Sequence, residues 1–97
     1  MTDIHVAEVV DADDRFEARA GDGTVLGATY YDVVDGAVVF THTEVPPAYE
    51  GKGVASALVQ GALDQVREAR GAVVAVCPYV KAWMLRHPDY TSLLRRR

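Results

Sequence analysis

The chain is short of the residues that staple or anchor small proteins. A single cysteine, Cys77, stands among 97 residues, so no disulfide can form within it and the thiolate set of a structural zinc site is missing. Three scattered histidines beside that one cysteine show no ligand spacing, so no metal centre is expected. No apolar run approaches the ~20 residues of a membrane-spanning helix. Met1-Thr2-Asp3 lacks the basic start and following apolar segment of a secretory signal. Positive charge is in deficit: 10 Lys and Arg against 14 Asp and Glu give a net charge of −4, which argues against a general nucleic-acid binder. The terminal Arg95-Arg96-Arg97 reads as a solvated tail. A soluble, cytoplasmic single domain spanning residues 1–97 is expected, large enough for one modest core.

The four prolines all fall where an element begins or ends. Ile4 to Val10 is β-prone and predicts a short edge strand, followed by the acidic turn Asp11-Ala12-Asp13-Asp14. Arg15 to Ala20 alternates, with Phe16, Ala18 and Ala20 on one side, the period of a half-buried strand. Gly21-Asp22-Gly23 is a hairpin turn before a strand from Thr24 to Val33. Asp35-Gly36 suits a type I′ turn, whose central residues both need positive φ, and Ala37 to Glu44 forms the next strand. These strands make an antiparallel meander. Pro46-Pro47 ends it, because proline offers no N–H to a ladder.

Val54 to Arg70 has helical period, with Ala55, Leu58, Val59, Ala62, Val66 and Ala69 on one face. Lys52, Ser56, Gln60, Asp64 and Arg67 fall on the other, and Gly71 suits the C′ position. Ala72 to Val76 is nearly all apolar, which predicts a strand covered on both faces. Strand, crossover helix and strand make the two strands parallel neighbours. Pro78 opens a last helix to Arg86 with Cys77 at its N-cap and Trp83, Met84 and Leu85 as core. His87-Pro88-Asp89 ends that helix, and Tyr90 to Leu94 forms a short final turn.

The segment between meander and long helix, Glu50-Gly51-Lys52-Gly53-Val54-Ala55-Ser56, carries the chemistry. The first turn of a helix has free N–H donors and a positive partial charge that attract phosphate. Gly51 and Gly53 let a ligand approach the backbone, and Lys52 adds positive charge. The loop thus reads as a pyrophosphate site, with a plain tight turn as the bland alternative. Its spelling excludes a P-loop, since Gly53 follows Gly51-Lys52, and a dinucleotide fingerprint, since Ser56 replaces the third glycine.

His42-Thr43-Glu44-Val45-Pro46, the glycine loop, Cys77-Pro78-Tyr79-Val80 and Arg86-His87-Pro88-Asp89-Tyr90 together resemble small single-domain members of the GNAT acetyltransferase superfamily. The likeness runs from about Arg15 to Leu94. It implies an α/β fold with a mixed sheet: an antiparallel meander, a β-α-β unit with splayed parallel strands, and a C-terminal helix. It also implies acetyl-CoA, or coenzyme A, as the bound cofactor. Backbone near Thr43, Glu44 and Val45 would pair with the pantetheine arm, and N–H groups from Gly51 to Ser56 would hold the pyrophosphate. Three departures stand out. Glu50 replaces the usual Arg or Gln at the loop start, Leu85 occupies the position of the family's thiolate-protonating tyrosine, and the two helices that enclose the acceptor in larger relatives are missing.

The resemblance implies an acetyl-CoA-dependent N-acetyltransferase acting on an amine, with an exposed lysine or amino terminus of a larger partner as acceptor. The other reading is a CoA-binding module with a regulatory or structural role. His42 is the candidate base, since histidine is the side chain most often used to take a proton near neutral pH, and Glu44 a second one through water. Cys77 is the candidate nucleophile, since a helix N-terminus stabilises a thiolate; its bland reading is a small buried apolar residue. Tyr79 and Tyr90 are possible proton donors or cleft walls. Arg86 and His87 read as phosphate contacts or a solvated helix end, and His5 as surface.

Overall fold

The structure, a computed structural model, describes residues 4–95. Residues 1–3, which carry the reading of the amino-terminal start, and 96–97, most of the basic tail, lie outside the described residues. Five strands form one sheet in the order of the chain: β1 (Glu8–Asp11), β2 (Arg15–Arg19), β3 (Val25–Val34), β4 (Ala37–Glu44) and β5 (Ala72–Ala75). The first four are antiparallel neighbours, and β5 pairs parallel to β4 from Ala37↔Ala72 to Phe40↔Ala75. Helix α1 (Val54–Glu68) is the crossover, and α2 (Pro78–Arg86) follows β5. This is the mixed sheet, meander and β-α-β unit that the sequence resemblance implies. No helix among the described residues is long and apolar enough to cross a membrane.

The elements follow from local chemistry. The β3–β4 hairpin turns on Asp35 and Gly36 with φ of 50° and 81°, as a type I′ turn requires. The edge strand starts at Glu8 rather than Ile4; ahead of it, Ile4 and Val6 pack sideways against the core. Helix α1 ends in a Schellman motif: Gly71 N–H reaches Val66 O at 2.9 Å and Arg70 N–H reaches Arg67 O at 2.9 Å. The expected C′ glycine is therefore one residue late. Arg70 takes the left-handed position with φ 57°, and Gly71 follows it because a Cβ there would come within 3.1 Å of the Val66 side chain.

Both helices lie on one face of the sheet. Phe16, Leu26, Phe40 and Val73 from the strands meet Val54, Leu58, Leu63 and Val66 of α1 and Val80, Trp83 and Met84 of α2 in one core. The expected α1 stripe was right at Leu58, Val59, Ala62 and Val66, but Val54 and Leu63 are buried while Ala69 is exposed. The face expected to be solvated is partly covered too, because α2 and the 3₁₀ turn Pro88–Leu93 pack alongside it. Two further expectations are corrected. Strand β5 is the sheet edge, with only Val73 buried and Val76 60% exposed, so it is covered on one face; the tail protects its rim through Arg95 N–H to Val73 O. Leu85 is 69% exposed, because it points off α2 away from Trp83 and Met84.

The opposite sheet face carries no helix among the described residues. There Glu17, between Arg15 at 2.9 Å and Arg19 at 2.6 Å, forms a charge-paired row on β2. Tyr30 and His42 lie side by side across β3 and β4, their rings stacked with centroids 6.1 Å apart. A bulge opposite Tyr30 and Tyr31 inserts Thr41 into β4. Beyond it Thr43 pairs with buried Thr29 on the helix face, while His42 and Glu44 project from the open face.

Helix α1 approaches β1 closely enough that a Cβ at Gly61 would lie 2.5 Å from Val9 Cγ2. Gly61→Ala is expected to lose about 1 kcal/mol net, since overpacking of ~1–3 kcal/mol exceeds alanine's helix advantage of ~1 kcal/mol. Val9→Ala in the same background should restore part of that loss, as urea unfolding would show; a gain in stability from Gly61→Ala alone would contradict the contact. The Glu17 row gives a pH signature. The Arg19 guanidinium holds the Glu17 carboxyl below its ordinary value, against the opposing effect of partial burial, and Arg15 adds to the lowering. A lowered folded-state pKa means the stabilisation is present above the unfolded value and lost as pH falls through the folded one. Glu17→Gln should lower stability at neutral pH and flatten its decline below about pH 4. Parallel pH curves for variant and parent would remove Glu17 from the account.

Candidate functional site

Strands β4 and β5 part at Phe40. Its carbonyl accepts the N–H of Val76 at 3.0 Å and of Cys77 at 2.8 Å. After that β4 continues through Thr41 to Glu44 while the other chain turns into α2. The end of β4 therefore has no partner on that side, and its backbone is free to pair with something extended. The splay expected from the β-α-β unit is present.

The chain leaves β4 through Val45 and a 3₁₀ turn at Pro47–Tyr49, then enters the glycine loop. Gly51 has φ 74° and Gly53, the N-cap of α1, φ 80°. Both angles lie in the left-handed region that favours glycine. A Cβ at either would meet nothing within 4 Å. Conformation, not crowding by the protein, thus requires glycine here, and the space above the loop is open. No side chain caps α1, so the N–H groups of Val54, Ala55 and Ser56 keep the anion-attracting character of a free helix start.

A cleft of about 290 Å³ opens over these groups. Its lining takes in Val45, Glu50, Gly51, Gly53, Val54, Ala55 and Ser56 from the expected set. Tyr49 and Tyr79 complete the walls. Thr43, Glu44 and Lys52 are not in the lining: Thr43 is turned to Thr29, Glu44 to His42, and Lys52 projects into solvent. The wall role of Tyr49 was not anticipated, although its place directly before Glu50-Gly51 is a usable signal.

Cys77 is the N-cap of α2, as expected, and is 3% exposed. Its Sγ lies 3.3 Å from Thr43 Oγ1, which lies 2.9 Å from Thr29 Oγ1. His42 is on the other side of β4. Its Nε2 is 3.1 Å from Glu44 Oε1, with both side chains about 60% exposed. The structure therefore brings Cys77 to Thr43 and His42 to Glu44 but does not bring His42 to Cys77. Tyr90 is committed elsewhere: its hydroxyl donates to Asp64 at 2.8 Å, and that bond raises its pKa above the ordinary phenol value. His87 stacks on Trp83 and Arg86 is exposed, and neither is part of the cleft lining. His5 is on the surface. Among the described residues no cluster of three or more His, Cys, Asp or Glu could hold a metal ion.

A family model described as GCN5-related N-acetyl-transferase matches residues 15–93. Protein NATD1 of Gallus gallus and of Mus musculus are each 40% identical to this chain over 47 residues, covering 48% of it and 43% of theirs; the match thus spans less than half the length of these curated relatives. A solution structure of a GCN5-like protein from Staphylococcus aureus superposes with a TM-score of 0.70 at 20% identity, over 97% of this chain and 93% of that one. The ribosomal-protein-alanine N-acetyltransferase of Brucella melitensis biovar Abortus superposes at 0.53 with 23% identity, over 86% of this chain and 63% of that one. At these identities the structural likeness is one of fold.

The positive φ at Gly53 separates two substitutions. Asparagine tolerates the left-handed region and valine does not. Gly53→Asn should keep the parent's unfolding midpoint to within a few degrees, while Gly53→Val loses on the order of 1–2 kcal/mol. In Gly53→Asn the added side chain enters the open space over the loop, so coenzyme A affinity measured by calorimetry should fall. Unchanged affinity in that folded variant would show that nothing binds over Gly53.

Proposed function

The chain belongs to the GCN5-related N-acetyltransferase family, and from that membership we propose that it moves an acetyl group from acetyl-coenzyme A to an amine. The observation that carries this reading is the cleft over the α1 start, continuous in sequence with the unpaired end of β4. The free N–H groups of Val54, Ala55 and Ser56, with the left-handed Gly51 and Gly53, fit a diphosphate; the backbone from Thr43 to Val45, open among the described residues on the side away from β3, fits the amides of a pantetheine arm. Lys52 adds positive charge nearby, and Glu50, on the cleft wall, opposes it. Acetyl-coenzyme A supplies the activated acyl thioester.

The two candidate catalytic residues take different sides of the gap. Among the described residues the β4–β5 pairing ends at Phe40, which leaves a gap beside the end of β4. Cys77 and Thr43 stand on its helix side, and His42 with Glu44 on the open side. Donor and amine would meet across that gap, with His42, oriented by Glu44, taking the proton the amine loses. Cys77 is proposed as the relay. Its sulfur attacks the thioester carbonyl and coenzyme A departs as the thiol. The amine then attacks the acetyl-cysteine carbonyl, the amide bond forms, and the Cys77 thiol is restored. Leu85, at the position the resemblance gives to the family's tyrosine, is exposed and has no proton to donate, which fits a route in which Cys77 shares the work. With one sheet face bare, an acceptor amine on a larger polypeptide is proposed: a lysine or an amino terminus.

The second reading, a CoA-binding module with little turnover, draws on the depth of Cys77, 3% exposed. One experiment separates them. Incubation with acetyl-coenzyme A and peptide amines should release free thiol, faster than with polyamines or free amino acids. Intact mass should show one acetyl group on the parent and none on Cys77→Ala. Tight binding with no thiol release against any amine would leave the module. Full turnover by Cys77→Ala would leave direct transfer.

A further inference from the structure

The segment Arg86-His87-Pro88-Asp89-Tyr90 lies away from the cleft, yet it acts on it through one side chain. Trp83 is 1% exposed, and its ring is clamped. His87 stacks on its face with centroids 3.8 Å apart, and Tyr90 meets it edge-on at 5.0 Å. His87 is itself held, with Nδ1 2.8 Å from the Trp83 carbonyl. Tyr90 is fixed by its bond to Asp64 on α1 and by the Arg67 guanidinium 4.4 Å over its ring. The clamped indole aims its N–H at Ser56 Oγ, 3.0 Å away.

The direction of that bond is not negotiable. An indole nitrogen only donates, so Ser56 accepts, and its one hydroxyl proton remains to be donated elsewhere. Among the described residues no acceptor in the chain takes it. Ser56 is also the third residue of α1 and part of the cleft lining. Its free proton therefore stands beside the N–H groups of the helix start, where it suits an acceptor ligand.

We propose that Trp83 is a positioning residue for the cofactor: by donating to Ser56 Oγ, it frees the serine hydroxyl to donate into the cleft, to the anionic diphosphate of coenzyme A. This rests on the reading that the diphosphate sits at the start of α1. Trp83 touches no ligand itself; it acts through Ser56, and His87 and Tyr90 act by holding the ring.

The test is a double-mutant cycle read with two ligands, coenzyme A and pantetheine, which lacks the diphosphate. Ser56→Ala and Trp83→Phe should each weaken coenzyme A by roughly tenfold, the scale of one hydrogen bond to a charged group. The double variant should bind like Ser56→Ala, because the tryptophan has no route to the ligand without the serine. Pantetheine affinity should be unchanged throughout. Replacing the Trp83 indole by its benzothiophene isostere removes the N–H and keeps the ring, so the same loss should appear with the packing intact. The proposal is overturned if removing the N–H costs as much in the Ser56→Ala background, if pantetheine weakens equally, or if Ser56→Ala binds coenzyme A as the parent does. A parent that binds coenzyme A no better than pantetheine would sink the placement of the diphosphate and this proposal with it. A parent that discriminates, beside a Ser56→Ala that discriminates equally, would sink this proposal alone.

Discussion

The carbonyl of Phe40 is the point on which the site depends. It accepts two consecutive N–H groups, from Val76 and Cys77, and so ends the parallel pairing at a fixed place. Had the ladder run on, β5 would occupy the edge where an extended ligand could pair, and Cys77 would be one more strand residue. Because the segment after β5 instead turns into α2 at Pro78, β4 outlives its neighbour from Thr41 to Glu44. The cost of leaving that backbone unpaired is small while water reaches it. The Phe40 ring, 1% exposed and packed against Phe16 and Tyr31, holds the branching point rigidly.

Most of the framework was legible because it rests on short-range chemistry. Asp35-Gly36, the paired prolines, Pro78 after Cys77 and the apolar period of α1 each act within a few residues, and the elements they imply stand where expected. What escaped is set by neighbours distant in sequence. Leu85 and Val76 are apolar letters in apolar surroundings, and only the three-dimensional packing says that α2 and the sheet edge leave them outside. Ser56, Asp64 and Arg67 had the spacing of a solvated face, but the turn at Pro88–Leu93 folds back onto that face and engages all three with α2 or its sequel.

Of the candidate site, the conformation of the glycine loop was legible and the placement of His42 relative to Cys77 was not. Glycine at the entrance of a helix has a backbone meaning, and Gly51 and Gly53 both adopt the left-handed angles that justify them. His42 and Cys77 carry no such local signature. Which side chains they meet is decided by packing between segments distant in sequence. Cys77 joins Thr43 and Thr29 in a run of hydroxyl and thiol contacts under the helices, and His42 joins Glu44 and Tyr30 in the open.

That separation depends on how β4 accommodates Thr41. Regular alternation from Phe40 would send His42 inward with it and Thr43 outward; the bulge shifts the phase by one, and the assignments exchange. The faces of β4 are thus set by its backbone conformation as well as by the identities of its residues. A relative that lost Thr41 outright would close the bulge into a regular strand and leave His42 and Thr43 on the faces they occupy here. A strand of the same length that flattened the bulge would exchange them, so the conformation at Thr41 is a sharper sign of altered geometry in a relative of this protein than a gap there.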